Sequence, residues 1–110
     1  MMPMEIVRTS LFERSLKKLG ASAADLERLE TEIAFNPTAG DVIQGLSGAR
    51  KARFSMAGRG KSGGGRAIHV LVVQADTAYL LLAYSKKDQE DLSTEQRKVL
   101  AGLVKELTDG

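Results

Sequence analysis

The sequence predicts an α+β fold of order β-α-α-β-β-β-α, a small antiparallel sheet with two N-terminal helices on one face and a C-terminal helix. Three observations carry this. Two amphipathic helical stretches with capping signatures precede Pro37, three strand-like runs follow between residues 49 and 85, and a third amphipathic stretch closes the chain. With 110 residues the chain suits a single domain, 1–110, with one core, which excludes a large multi-domain enzyme.

The first strand is read at Met4 to Arg8. Ser10 and Glu13 then have the N-cap and N3 spacing of a capping box, Phe12, Leu16 and Leu19 fall on one helical face, and Gly20 stops the helix. Ser22 with Asp25 opens the second helix, whose apolar stripe is Leu26, Leu29 and Ile33 and whose end is marked by Asn36-Pro37. Residues 38–48 read as a connection pinned by Val42, Ile43 and Leu46. Ala49 to Ser55, Ile68 to Gln74 and Tyr79 to Ser85 read as strands, the last two joined by a turn at Asp76-Thr77. Ser93 with Gln96 starts the final helix, with Val99, Leu100, Leu103, Val104 and Leu107 as its apolar face.

The net charge is only +2, but the charges are unevenly placed: acids gather at Asp25, Glu27, Glu30 and Glu32 and again at Asp88, Glu90, Asp91 and Glu95. A local basic patch attracts polyanions even where distant acids nearly cancel it. The absence of cysteine excludes a disulfide framework, a thiolate metal site and a thiol nucleophile. No run approaches the roughly 20 apolar residues of a membrane span, and the start lacks a secretory pattern, so a soluble, cytoplasmic protein with no membrane association is expected.

The basic patch is concentrated in the seventeen residues from Arg50 to Arg66, which hold six Lys or Arg, five Gly and no acid. Gly58, Gly60 and Gly63 satisfy the spacing G-x-G-x-x-G, but they join strand to strand, whereas a dinucleotide fingerprint runs from strand into helix. Gly60-Lys61-Ser62 resembles the end of a phosphate-binding loop whose first glycine would fall at Ser55, so that reading fails too. What remains is a glycine-rich loop, residues 57–65, with cations Arg59 and Lys61 and free backbone N–H groups suited to anions. Strand alternation puts Lys51 and Arg53 on one face and Arg50 on the other. If Ala52 and Phe54 face the helices, Lys51 and Arg53 lie on the open side, where Arg66, Tyr84 and Lys86 are expected to join them. A solvated basic exterior is the plain alternative for the strand pair alone.

His69, the only histidine, sits inside an apolar strand and reads as a core or sheet-surface residue before a catalytic one. One imidazole without thiolates argues against a metal site, so no metal or cofactor is expected. The acids Asp88, Glu90 and Asp91 read as capping and solvating the approach to the last helix. Three Phe and two Tyr are too few for an aromatic stacking platform for RNA.

Several ordered motifs resemble the RelE/HigB superfamily of bacterial type II toxins, in particular its HigB-like branch: Gly40-Asp41-Val42-Ile43, Gly48-Ala49-Arg50-Lys51-Ala52-Arg53-Phe54, Gly60-Lys61-Ser62-Gly63-Gly64-Gly65-Arg66, Tyr84-Ser85-Lys86-Lys87 and Asp91-Leu92-Ser93. Together they cover about half the chain. The resemblance implies a RelE-like fold and a toxin that enters the ribosome and cleaves messenger RNA there. It also implies silencing by a cognate antitoxin of helix-turn-helix type.

Metal-free cleavage uses the RNA's own 2′-hydroxyl, so the protein needs cations around the phosphate and a proton acceptor and donor. Arg66, then Lys61 and Arg53, are the candidate stabilisers. Tyr84, Lys51, Lys86 and, less so, His69 are the candidate base and acid, each needing a pKa pulled toward neutrality by neighbouring positive charge or by bound RNA and ribosome; a cationic neighbourhood lowers the pKa of Lys and Tyr alike. Arg50, Arg59, Lys61, Ser62 and Lys87 are candidate RNA-phosphate ligands. Two other readings stand beside this one: a ParE-type topoisomerase poison on the same scaffold, and a non-catalytic RNA-binding module.

Overall fold

The computed structural model describes residues 3–56 and 64–109. Its elements are β1 (Glu5–Arg8), α1 (Ser10–Leu19), α2 (Ala23–Phe35), β2 (Asp41–Val42), β3 (Arg50–Phe54), β4 (Gly65–Val72), β5 (Thr77–Ser85) and α3 (Thr94–Asp109). The strands form a sheet of order β1-β5-β4-β3-β2, antiparallel except for β1, which runs parallel to β5. The predicted α+β class and helix count hold. The sheet gains β2, which the sequence reading treated as connection: Asp41 and Val42 pair with Lys51 and Arg50. Two residues carry too little period-2 pattern to announce a strand.

The helix starts follow their caps. At α2, Ser22 Oγ accepts from the Asp25 N–H while the Asp25 carboxylate accepts from the Ser22 N–H. At α3, Ser93 and Gln96 make the same reciprocal pair, at 3.1 and 2.9 Å. The α1 cap moves by one residue from the predicted Ser10 to Thr9, whose Oγ1 accepts from the Phe12 N–H and donates to the Leu80 carbonyl at 2.8 Å. Thr9 wins because β1 lies beside β5, so one hydroxyl serves the helix end and the sheet together.

Two apolar layers sandwich the sheet. On one side Phe12, Leu19, Leu26, Leu29 and Ile33 from α1 and α2 pack on Ala52, Phe54, Ala67, Ala78, Leu80 and Ala83. On the other, Leu100 and Val104 of α3 pack on Ile68, Val70, Leu81, Leu82 and Tyr84. The face read from sequence as open is therefore partly roofed by α3.

One irregularity governs the site. Ile68 pairs with Leu82 but His69 pairs with Leu80, so Leu81 is an extra residue, a β-bulge in β5. Leu81 and Leu82 both join the α3-side core. Beyond the bulge the alternation is reversed, and Tyr84 points to the α3 side instead of toward α1 and α2. Where the register continues, Gly65 lies against the Phe54 ring. A Cβ there would come within 2.5 Å of a ring carbon, so glycine lets the two strands close.

His69 is buried on the α1/α2 side, in register with Arg50 and Leu80. Its Nε2 lies 2.9 Å from the Ala39 carbonyl, and its Nδ1 has no hydrogen-bond partner among the described residues. Burial, and less so the Arg50 charge, push its pKa below the ordinary 6.5 against the opposing pull of the Ala39 carbonyl. The unfolded chain then binds more protons than the native one, so stability is complete above about pH 6.5 and falls as pH drops below it. The urea midpoint of the wild type is expected to decrease between pH 7 and pH 5.5. In His69→Gln, which keeps an N–H donor and cannot titrate, that decrease should be largely absent; an equal decrease in both would clear His69 of it.

Candidate functional site

The site is built from one cross-strand row. In register, Arg53 of β3 lies opposite Arg66 of β4, and Arg66 lies opposite Tyr84 of β5. Directly opposed side chains in an antiparallel pair have Cβ atoms about 4.5–5.5 Å apart, and like charges so placed are destabilising. Two arginines in direct opposition are therefore not a folding device. Their common use is to grip an anion.

Lys51 stands two residues before Arg53 on the same face, opposite Ile68 on one side and Asp41 on the other. Its ammonium donates to Asp91 Oδ1 at 3.2 Å. Asp91 also accepts from the Leu92 N–H at 2.8 Å and comes within 3.9 Å of Arg97 Nη2 on α3. Lys86 follows β5; its backbone N–H bonds the Gly64 carbonyl and its Nζ donates to Glu90 Oε1 at 2.9 Å. Both carboxylates sit below their ordinary pKa: Glu90 through Lys86, and Asp91 through the Leu92 N–H and then Lys51.

Tyr84 is only 5% exposed, and its hydroxyl has no hydrogen-bond partner among the described residues. Burial and the Asp91 charge raise its pKa, outweighing the lowering by Arg66 and Arg97. The expectation that cationic neighbours would pull Tyr84 toward neutrality is thus corrected. The phenol stays protonated at neutral pH and is equipped to donate a proton rather than accept one.

A cleft of about 780 Å³ runs from this point between α1 and the end of β5, and Arg14, Lys17 and Lys18 line it together with Tyr84. On the edge away from β4, β5 has no strand neighbour there, because β1 pairs only with residues 77–80. Ser15 Oγ of α1 takes the Ala83 N–H instead, at 3.0 Å.

Comparison with known proteins decides the family. The model of the RelE toxin of the RelE/RelB toxin-antitoxin system matches residues 4–109. The chain belongs to the RelE toxin family. Among solved structures it is similar to a free-state mutant of the E. coli toxin RelE, with a TM-score of 0.60 at 14% identity over 81% of this chain and 90% of that one. It is also similar to the RelBE2 toxin-antitoxin complex of Mycobacterium tuberculosis, with a TM-score of 0.51 at 18% identity over 77% and 93% of the respective chains. At such identities the likeness speaks for the fold alone.

Of the residues singled out from sequence, this RelE-family fold brings Lys51, Arg53, Arg66 and Tyr84 to one face, with Lys86 at the end of β5. Arg50 is not among them. Alternation sends it to the opposite side, where its guanidinium donates to the Gly40 carbonyl at 3.0 Å and ties β3 to the turn before β2. His69 shares that opposite side and is separated from the Arg53–Arg66–Tyr84 row by the sheet. Lys87 is exposed on the turn after β5, its N–H bonded to Ser85 Oγ. Arg59, Lys61 and Ser62 lie outside the described residues. Asp91 and Arg97, and the α1 cations Arg14, Lys17 and Lys18, were missed by sequence reasoning. The one available signal was the charge order Lys86-Lys87-Asp88-Gln89-Glu90-Asp91, where acids follow directly on site lysines.

Proposed function

We propose that this RelE-family toxin is a metal-free, ribosome-dependent messenger RNA endoribonuclease restrained by a cognate antitoxin. The observation that carries the reading is the Arg53–Arg66–Tyr84 row, which sets two permanent cations beside a buried, protonated phenol on one face. In the reaction the 2′-oxygen bonds to the adjacent phosphorus as the bond to the 5′-oxygen breaks. Arg66 and Arg53 meet the charge that grows on the phosphorane oxygens. Tyr84 gives its proton to the departing 5′-oxygen. One of Lys51 and Lys86, as the neutral amine left once its own extra proton has gone to solvent, receives the 2′-hydroxyl proton, while the other stays a phosphate-binding ammonium. The α1 cations extend the positive tract for a longer polyanion.

The products are then a 2′,3′-cyclic phosphate and a 5′-hydroxyl. Messenger RNA incubated with the protein in a reconstituted translation system should be cut, with these ends, only while it is being translated. Intact messenger RNA beside stalled DNA replication in expressing cells would favour the topoisomerase-poison reading instead. Within the family we place the chain on the HigB-like branch, on the strength of the Gly60–Arg66 and Tyr84–Lys87 segments. The antitoxin is of helix-turn-helix type on the same resemblance, and a toxin-antitoxin complex among the structural neighbours supports a partner of that role.

A further inference from the structure

The connection between β5 and α3 places two carboxylates on the basic face, where their pairing with lysines adds little to the stability of the fold. Glu90 reaches Lys86 at 2.9 Å with its side chain 91% exposed, and Asp91 reaches Lys51 at 3.2 Å with its side chain 51% exposed. Ion pairs this open to solvent contribute little to folding. Their geometry is nevertheless fixed. The Asp88 and Gln89 N–H groups bond the Ser85 carbonyl, and Gln89 Nε2 donates to the Asp91 carbonyl and to Gln96 Oε1, at 2.9 and 2.8 Å. Leu92 is buried beneath the segment, and its N–H holds the Asp91 carboxylate. Asp91 thus lies between a strand lysine and Arg97 of α3, the position an anion would take between two cations.

We propose that Glu90 and Asp91 form a built-in counter-ion latch: in the RNA-free toxin their carboxylates occupy Lys86 and Lys51 in place of substrate phosphates, and RNA engages the face only by displacing them. The proposal rests on the RNA-cleavage reading and deepens it. Free RNA must compete with tethered carboxylates already in place, which have no translational entropy left to lose. RNA presented in a fixed position loses less on binding and displaces the latch more readily. The protein is thereby held off RNA in general without any cost to its fold.

The test measures binding of a short, dye-labelled single-stranded RNA, 2′-O-methylated throughout so that it is not cleaved, by fluorescence anisotropy at several salt concentrations. Glu90→Gln/Asp91→Asn should bind about 5- to 20-fold tighter than wild type at low salt. Its plot of log affinity against log salt should steepen by about 1.4, two further phosphates at roughly 0.7 each. The pair Glu27→Gln/Glu32→Gln, exposed on α2 across the sheet, makes the same change in net charge away from the face and should change affinity less than twofold. Adding Lys51→Ala to the latch variant should cancel much of the gain. The amide of Asp91→Asn keeps an oxygen for the Leu92 N–H; should the double variant fold poorly, Glu90→Gln alone, at half the slope change, serves the same purpose. A latch variant that binds no better than the control pair overturns the proposal, whether or not wild type binds free RNA. The cleavage assay in translating extracts judges the ribonuclease reading separately.

Discussion

Arg66→Ala is expected to slow translation-dependent messenger RNA cleavage by about 10²- to 10³-fold while leaving the protein as stable as wild type or slightly more so. The activity loss follows from position. Arg66 is the middle member of the Arg53–Arg66–Tyr84 row, so it faces both the second cation and the phenol. Loss of one preorganised donor to a developing oxyanion costs about 2.7–4 kcal/mol of barrier. The stability outcome follows from the same register. Removing one of two directly opposed arginines relieves a like-charge contact, and the Arg66 guanidinium donates only locally, to the carbonyl of its neighbour Gly65 at 3.1 Å, among the described residues. Single-turnover cleavage and thermal unfolding of the same preparation check both parts. Equal cleavage by variant and wild type would remove Arg66 from the mechanism.

Tyr84→Phe is expected to separate activity from stability more sharply. Loss of a positioned proton donor typically lowers rate by about 10²- to 10⁴-fold, and that range is expected here. The phenyl ring keeps its place in the α3-side core, which also holds Ile68, Leu82 and Leu92. The lost hydroxyl is buried with no hydrogen-bond partner among the described residues, and an unpartnered buried donor costs about 1–3 kcal/mol. Chemical denaturation should therefore show no loss of stability, and a gain up to that size. A variant that is both less stable and fully active would remove Tyr84 from the site and make it an ordinary core residue. Because burial and Asp91 hold the Tyr84 pKa above the ordinary value of 10.0, wild-type cleavage should not decline through loss of this proton until pH rises above it.

Much of the fold was legible because its signals are local. The reciprocal caps Ser22/Asp25 and Ser93/Gln96, the stop at Gly20 and the apolar stripes of three helices each depend on residues within a turn or two of one another. Period-2 alternation in β3 correctly set Lys51 and Arg53 against Ala52 and Phe54. Where the reading slipped, a distant element had intervened. Thr9 displaced Ser10 as cap because the Leu80 carbonyl lies beside it. β2 exists because β3 offers an edge to pair with, and β4 begins at Gly65, earlier than Ile68, because a residue without a side chain fits against the Phe54 ring.

The amino-acid order by itself determined the α+β architecture, the caps and the stock of cations on β3 and β4, since each is written in short-range spacing. Only the tertiary structure decided which of these residues meet. The extra residue at Leu81 reverses the alternation of β5 and turns Tyr84 onto the face of Arg66, and a one-residue slip in a strand moves every later side chain to the other side of the sheet. The same assembly roofs that face with α3 and lays Asp91 across Lys51, forty positions away in sequence. Strand registry and ion pairing at that separation depend on how whole elements pack, and no local pattern records them.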